Sequence, residues 1–313
     1  MTKTSPQPKL DSPLPVRAET PELASHATVA ETFAAFAAAG LHHLAVNAEL
    51  FAVEPSPEKI HQMRVAVRRM RALLGTFRAA LPKARRARVV GDLKRFQKAL
   101  GPARDLDVFL DEMLPALPSL PMRTVLAAAA HDAHRRAYLK ATKVVKGPAL
   151  ATLQTDLAEM VGALAKERAA RKPARAFARK FLAKKHRKLI ARIAAKGRRS
   201  DEEMHALRIR IKKLRYAVEY FRLVLPKAGA KRFHGALAEA QDVLGVVNDA
   251  VNARAVAREL LRKAPGMNAS MAKAVDAVFA AAEDKARPKA RRKFLALKPE
   301  LRRPPKGWLK APA

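Results

Sequence analysis

Apolar residues recur along this chain at every third or fourth position, while runs of Val, Ile, Thr and aromatic residues alternating with period two are missing. That pattern predicts a nearly all-helical body, an all-α fold. Helical periodicity covers about 29–52, 57–81, 85–100 and 120–145, with a short helix after Asp105, and then 174–196, 201–225, 230–245, 247–263 and 268–283. Pro82 and Pro226 close the helices that precede them, because proline lacks the N–H that continues the ladder. Gly101 and Gly245 stand where further helix stops are expected. Short connections make sequence neighbours antiparallel, so the simplest unit is a four-helix bundle.

The pattern also repeats. Displaced by 144 positions, residues 58–105 lie on 202–249 without a gap, with 17 identities in 48 positions. "EKIHQMRVAVRRMRALLGTFRAALPKA" falls on "EEMHALRIRIKKLRYAVEYFRLVLPKA", and "LKRFQKALGPARD" falls on "LAEAQDVLGVVND". The chain therefore reads as two copies of one helical unit, about 24–165 and 174–283, joined at 166–173. Ahead of them, residues 1–23 are rich in Pro, Ser and Thr and predict a disordered arm, with no apolar run behind Lys3 and Lys9 that would serve as a secretion signal. Behind them, 285–313 holds 11 basic and one acidic residue among prolines and predicts a loosely ordered basic tail. The most apolar stretch, 33–53, is interrupted by His42, His43, Asn47 and Glu49 and reads as too polar to span a membrane.

Charge changes the picture. The 313 residues carry 63 Lys and Arg against 28 Asp and Glu, a formal net charge of +35. With 49% hydrophobic residues the chain is expected to fold as one large or two medium domains, with the charge on its surface. Such a field points to polyanionic partners and away from a neutral small substrate. The absence of cysteine excludes disulfides, thiolate metal sites and cysteine nucleophiles.

Part of the charge is ordered. On a wheel of 100° per residue, Met63, Val67, Met70, Leu74, Phe77 and Leu81 share an arc of about 80°, the predicted buried seam. His61, Arg64, Arg68, Arg71 and Arg78 share an adjacent arc of about 100°. The second copy repeats both, with the seam Leu207, Ile211, Leu214, Val218, Phe221 and Leu225 and the stripe His205, Arg208, Lys212, Arg215 and Arg222. Like charges on one helical face repel, and only Glu219 relieves the second stripe. The stripes are either compensated by acids on neighbouring helices, such as Asp105 and Asp249, or await an anion. A row of cations about 30 Å long suits a linear polyanion, held by many modest contacts and released counterions. The cations one turn from His61 and His205 are expected to lower the pKa of those histidines.

These motifs, "HQMRVAVRRMR" and "HALRIRIKKLRYAVE", each with a downstream "LG…D" element, resemble the CHAD domain, a family named for conserved histidines in an all-α fold. The resemblance covers about 24–284. It implies two pseudo-symmetric helical bundles around a basic groove or pore, binding of inorganic polyphosphate, and association with polyphosphate granules in the cytoplasm. Matched residue by residue, it implies polyphosphate-binding roles for His61, Arg64, Arg68, Arg69 and Arg71, and for His205, Arg208, Lys212, Lys213, Arg215 and Tyr216; the stripes add Arg78 and Arg222 to the expected polyphosphate-binding residues. Arg104–Asp105 and Asn248–Asp249 match the downstream elements. The "ExExK" strand of the triphosphate-tunnel hydrolases to which the domain is often fused is not found in this sequence, which looks like a stand-alone version. Met70 replaces the usual leucine, and Gly75 is expected to leave room for close approach of another backbone.

Other chemistry is weaker. His131 and His134 lie one turn apart without a third ligand and read as surface histidines; His42 and His43 read as packed or interfacial, so no metal is expected. No "GxxxxGK[ST]" or "GxSxG" occurs, and the reading is a binding protein, not an enzyme, with no cofactor. The alternative is a nonspecific nucleic-acid-binding protein, because residues 166–199 (15 basic, one acidic) and the tail hold much of the excess charge. Against it stands the scarcity of aromatic residues for base stacking, Tyr216 being the one inside a basic motif.

Overall fold

The computed structural model describes residues 14–117, 120–195, 200–263 and 269–309. Over these the chain forms nine helices: α1 (Val29–Val53), α2 (Pro57–Thr76), α3 (Lys83–Val108), α4 (Leu120–Val145), α5 (Ala149–Lys166), α6 (Ala174–Ala194), α7 (Asp201–Phe221), α8 (Ala230–Lys263) and α9 (Ala269–Arg302). A π turn, Phe109–Met113, follows α3, and a 3-10 turn, Arg168–Arg171, precedes α6. Side chains fix several starts by taking up N–H groups that have no helical partner. Thr28 and Glu31 form a reciprocal capping box on α1, Ser200 and Glu203 form one on α7, and Ser56 caps α2 ahead of Pro57.

Adding 144 to the bounds of α1 and α2 gives 173–197 and 201–220, close to α6 and α7; the same shift carries α3 into α8 and α4 into α9. The two copies also meet through equivalent residues, as a two-fold contact requires. Phe77 and Phe221, 144 apart, touch with ring centroids 5.3 Å apart. Phe33 meets Phe77 at 5.6 Å just as Phe177 meets Phe221 at 5.9 Å. At the helix entrances, Val29 N–H donates to Lys172 O (3.0 Å) and Ala174 N–H to Ala27 O (2.8 Å), pairing the two chain entries. One apolar core runs through both copies, and α2 packs on α7 at the junction.

The seams are placed as periodicity predicts: Met63, Val67, Met70, Leu74 and Phe77, and Leu207, Ile211, Leu214, Val218 and Phe221, are all buried. Several boundaries differ. α2 ends at Thr76 and α7 at Phe221, because Phe77–Leu81 and the segment after Phe221 turn back while keeping Leu81 and Leu225 buried. Neither expected glycine stop exists: α3 runs through Gly101 and the exposed Pro102, and α8 runs unbroken through Gly245. A Cβ on Gly75 would meet nothing within 4 Å, so no backbone approaches it. α5, absent from the four expected helices of the first unit, buries Leu153, Leu157, Met160 and Leu164. The expected loose tail is the second half of α9 over 285–302, since Ala290, Phe294 and Leu301 form a buried face among the cations and Pro288 and Pro299 sit on the exposed one.

Beyond α9, Trp308 is buried and its Nε1–H donates to Pro226 O at 2.8 Å. Gly307 supplies the positive φ (79°) that turns the chain into this contact. In the predicted arm, residues 1–13 lie outside the described residues, as do 310–313 of the tail. Residues 14–23 run across the body, with Val16 O accepting from Asn47 Nδ2 at 2.9 Å. α1 is long and apolar enough to cross a membrane by length and composition, and its Phe33, Leu44 and Phe51 lie in the core.

Candidate functional site

The stripes converge because their helices are the two that meet at the pseudo-two-fold axis. At the C-terminal ends of α2 and α7, Arg69 meets Glu219 and Tyr220, and Phe77, just past α2, meets Phe221. Just N-terminal to these contacts, Lys212 stands within electrostatic range of its own repeat equivalent, Arg68, and of Arg71, Arg208 and Lys213. Burial and then these four cations push the Lys212 pKa down to about 8. Cations from both copies thus occupy one surface, and the charges that act most on Lys212 there are all cations.

The first-copy half is built by α2 and α3. Arg64 Nη2 reaches Asp105 Oδ1 at 3.5 Å, while burial and the fields of Arg68 and Arg104 work against its charge. The arginine crosses α3 at Gly101, where a Cβ would stand 3.1 Å from its Nη1. A glycine read as a helix stop is in fact the gap that admits this side chain. The His61 pKa is lowered, by burial first and then by Arg104, which Glu58 opposes, with Arg68 and Arg64 adding to the lowering. Arg104 belongs to the site with His61 and Arg64; its place beside Asp105, matched by Asn248 beside Asp249, is the sequence signal for it.

The second-copy half is built by α7 and α8. His205 is exposed, with Nδ1 3.1 Å from Asn248 Oδ1, so the asparagine stands where the first copy has Arg104. The Arg208 Nε–H is buried without an acceptor, a donor that an anion would satisfy. Asp105 and Asp249 both have raised pKa values, through burial, opposed by Arg64 and Arg104 in one case and chiefly by Arg208 in the other.

Not every matched residue joins the surface. Arg69 turns inward to an ion pair with the buried Glu219. Tyr216 is 3% exposed and lies under the Arg215 guanidinium, 4.6 Å from ring centroid to Cζ. Arg215 is further held by Nε donation to Gln241 Oε1 at 3.1 Å, and Arg222 Nη2 donates to Thr20 Oγ1 at 3.0 Å. Arg78 lies exposed in the turn after α2. The centre therefore comprises His61, Arg64, Arg68, Arg71 and Arg104 with Arg208, Lys212 and Lys213. Elsewhere, His134 Nε2 and Tyr138 Oη both meet the buried Asp107 Oδ1 at 2.9 Å, tying α4 to α3. Among the described residues no three His, Asp or Glu side chains converge as metal ligands.

The CHAD domain family model matches residues 35–262. The crystal structure of the CHAD domain from the plant Ricinus communis is similar over 94% of this chain and 99% of its own, with a TM-score of 0.81 and 28% identity. PptA from Streptomyces chartreusis is similar over 87% of this chain and 99% of its own, with a TM-score of 0.66 at 20% identity, a likeness of fold. No curated protein sequence matches the chain.

Proposed function

The chain belongs to the CHAD domain family, and on that premise we propose that it binds inorganic polyphosphate across the cationic surface of α2 and α7. The observation that carries this reading is the meeting of Arg68 and its equivalent Lys212 within a group of cations that includes Arg71 and Arg208. Assembling such a group costs folding free energy in the empty protein, and a polyanion returns it. Two stripes joined across a two-fold axis favour an extended, repeating ligand over a single phosphate. Tyr216 lies buried, so the basic motifs offer no stacking platform of the kind single-stranded nucleic acids use. The protein acts by binding, without catalysis, and associates with polyphosphate granules in the cytoplasm. Labelled long-chain polyphosphate at near-physiological salt is expected to be displaced far better, per phosphate, by unlabelled polyphosphate than by single-stranded DNA or RNA. Equal displacement by DNA would transfer the site to nucleic acid.

Binding is also expected to take up protons. The empty surface holds Lys212 and His61 below their ordinary pKa values, and bound phosphates reverse the local sign and raise both. Affinity therefore strengthens as pH falls from about 9 towards 6. The stability of the empty protein has the related sign: Lys212 binds its proton less well folded than unfolded, so its unfavourable contribution is full below pH 8 and fades as pH rises towards the ordinary lysine range. Calorimetry in buffers of different ionisation heat measures the uptake. Lys212→Met is expected to remove the uptake near pH 8, and His61→Gln the part of the uptake at lower pH, below the ordinary histidine range. Unchanged uptake in both variants would return the linkage to the ligand alone.

A further inference from the structure

A second group of cations lies on α6 and the adjoining face of α7. Lys184 and Lys188 are exposed and Lys185 half-buried on α6; Arg210 and Lys213 are exposed on α7. The two helices pack side by side. Phe181 against Phe221 (ring centroids 6.0 Å) and Arg192 Nη2 against Glu203 Oε1 (3.2 Å) bracket the stretch that contains all five residues. The Lys185 ammonium lies over the Phe181 ring at 5.1 Å, which holds its stem against the body. None of the five has a carboxylate partner among the described residues. Burial and the fields of Lys213, Lys188, Lys184 and Arg210 lower the Lys185 pKa, which places the five in one field.

The group is not inherited from the repeat. α1 and α6 are related by 145 positions, as the mated Val29 N–H to Lys172 O and Ala174 N–H to Ala27 O bonds show, so four of the equivalent positions are Ala39, Gly40, His43 and Ala66, none of them lysine or arginine, with His43 and Ala66 buried. The fifth position, Arg69, is turned to Glu219. Repeat architecture therefore does not require cations here, and helix packing gains nothing from their mutual repulsion. The group is also continuous with the central surface: Lys213 lies in the fields of both Lys212 and Lys185.

We propose that Lys184, Lys185 and Lys188, with Arg210 and Lys213, form a one-sided exit track along which a long polyphosphate chain leaves the central surface over α6 and α7. The proposal rests on the polyphosphate reading above and adds direction to it. The central cations grip a short segment from both copies, and the track engages only ligands long enough to extend past Lys213. Length discrimination is thus placed in the second copy alone.

The test compares tripolyphosphate with long-chain inorganic polyphosphate on the native protein, on a Lys184→Gln, Lys185→Gln, Lys188→Gln variant, and on a charge-matched variant, Lys289→Gln, Arg291→Gln, Arg292→Gln on α9. Three phosphate contacts of ordinary surface strength are worth about a tenfold affinity loss. Their loss also flattens the salt dependence of log K by about two. The α6 variant is expected to show both changes with the long chain and to bind tripolyphosphate as the native protein does. The α9 variant is expected to bind both ligands nearly as the native protein does. Long-chain affinity untouched in the α6 variant overturns the track, and so do equal losses for both ligand lengths or in both variants. Failure of the native protein to bind either polyphosphate overturns the functional reading itself, and the track with it.

Discussion

Replacing Arg64, Arg68, Arg208 and Lys212 by alanine is expected to weaken long-chain polyphosphate binding by about a thousandfold, on the basis of about 1 kcal/mol for each charge-assisted phosphate contact. The salt dependence of log K is expected to flatten by about three. Of the thirteen expected binding residues, these four are cations that nothing in the protein fully engages. Arg208 carries a buried, unpartnered Nε–H, Arg64 has one long contact to Asp105, and the charges that act most strongly on Lys212 are all cations. Arg215, by contrast, is already held by Gln241 and stacked on Tyr216. The comparison is Arg291→Ala, Arg292→Ala, Arg302→Ala, Arg303→Ala, which removes as much charge from exposed positions on and just after α9. That variant is expected to lose less than about tenfold, the share of a diffuse field. Thermal unfolding supplies a second sign: the stripe variant is expected to melt no lower than the native protein, because the cations it loses repel one another. Equal affinity losses in the two variants, or a strongly lowered Tm in the stripe variant, would contradict a site built by the two-fold convergence.

That convergence is the part of the site least legible in the sequence. Spacing alone exposed the repeat, because His, Arg, Phe and Pro recur at 144-residue intervals, and a helical wheel separated seam from stripe. The wheel left Arg69, Lys213 and Tyr216 off the stripe, and they entered the site through the family resemblance. The wheel had the better of it for two of them, since Arg69 and Tyr216 face the protein and only Lys213 faces out. Periodicity cannot tell a helical turn from a buried return, so it carries α2 on through Phe77 to Leu81, past its end at Thr76. A run of cations and prolines hides an apolar face as sparse as Ala290, Phe294 and Leu301, and so the pattern predicts too short an α9. Gly101 shows the deeper limit. Its role depends on Arg64 of another helix crossing it, a fact that no local pattern contains. What places Arg68 beside Lys212 is the docking of one copy on the other through Phe77 and Phe221, and a single sequence records the two surfaces without recording that they meet.

The same docking makes Glu219 the residue on which the surface depends most for its stability. Its repeat equivalent is Gly75, so the two stripes share this one acid at the junction. Glu219 is buried, with its side chain 9% exposed, and its ion pair with Arg69, 18% exposed, crosses from one copy to the other beside the Tyr220 Oη–Arg69 O hydrogen bond of 2.7 Å. Removing one partner of a buried pair leaves the other charge uncompensated, at a typical cost of 3–5 kcal/mol. Here the orphan would be one more cation next to Arg68. Glu219→Gln is therefore expected to cost about 3 kcal/mol, seen as a fall of about 5 °C in Tm. The paired variant Arg69→Met, Glu219→Gln is expected to recover most of that loss, since it removes the orphaned charge. Polyphosphate distinguishes this account from simple loss of packing. If the cost is uncompensated charge, a bound polyanion supplies the missing counter-charge, and saturating long-chain polyphosphate raises the Tm of Glu219→Gln by more than it raises that of the native protein. An equal rise in both proteins, or a double variant no more stable than Glu219→Gln alone, would assign the effect to packing and leave the junction acid without its electrostatic role.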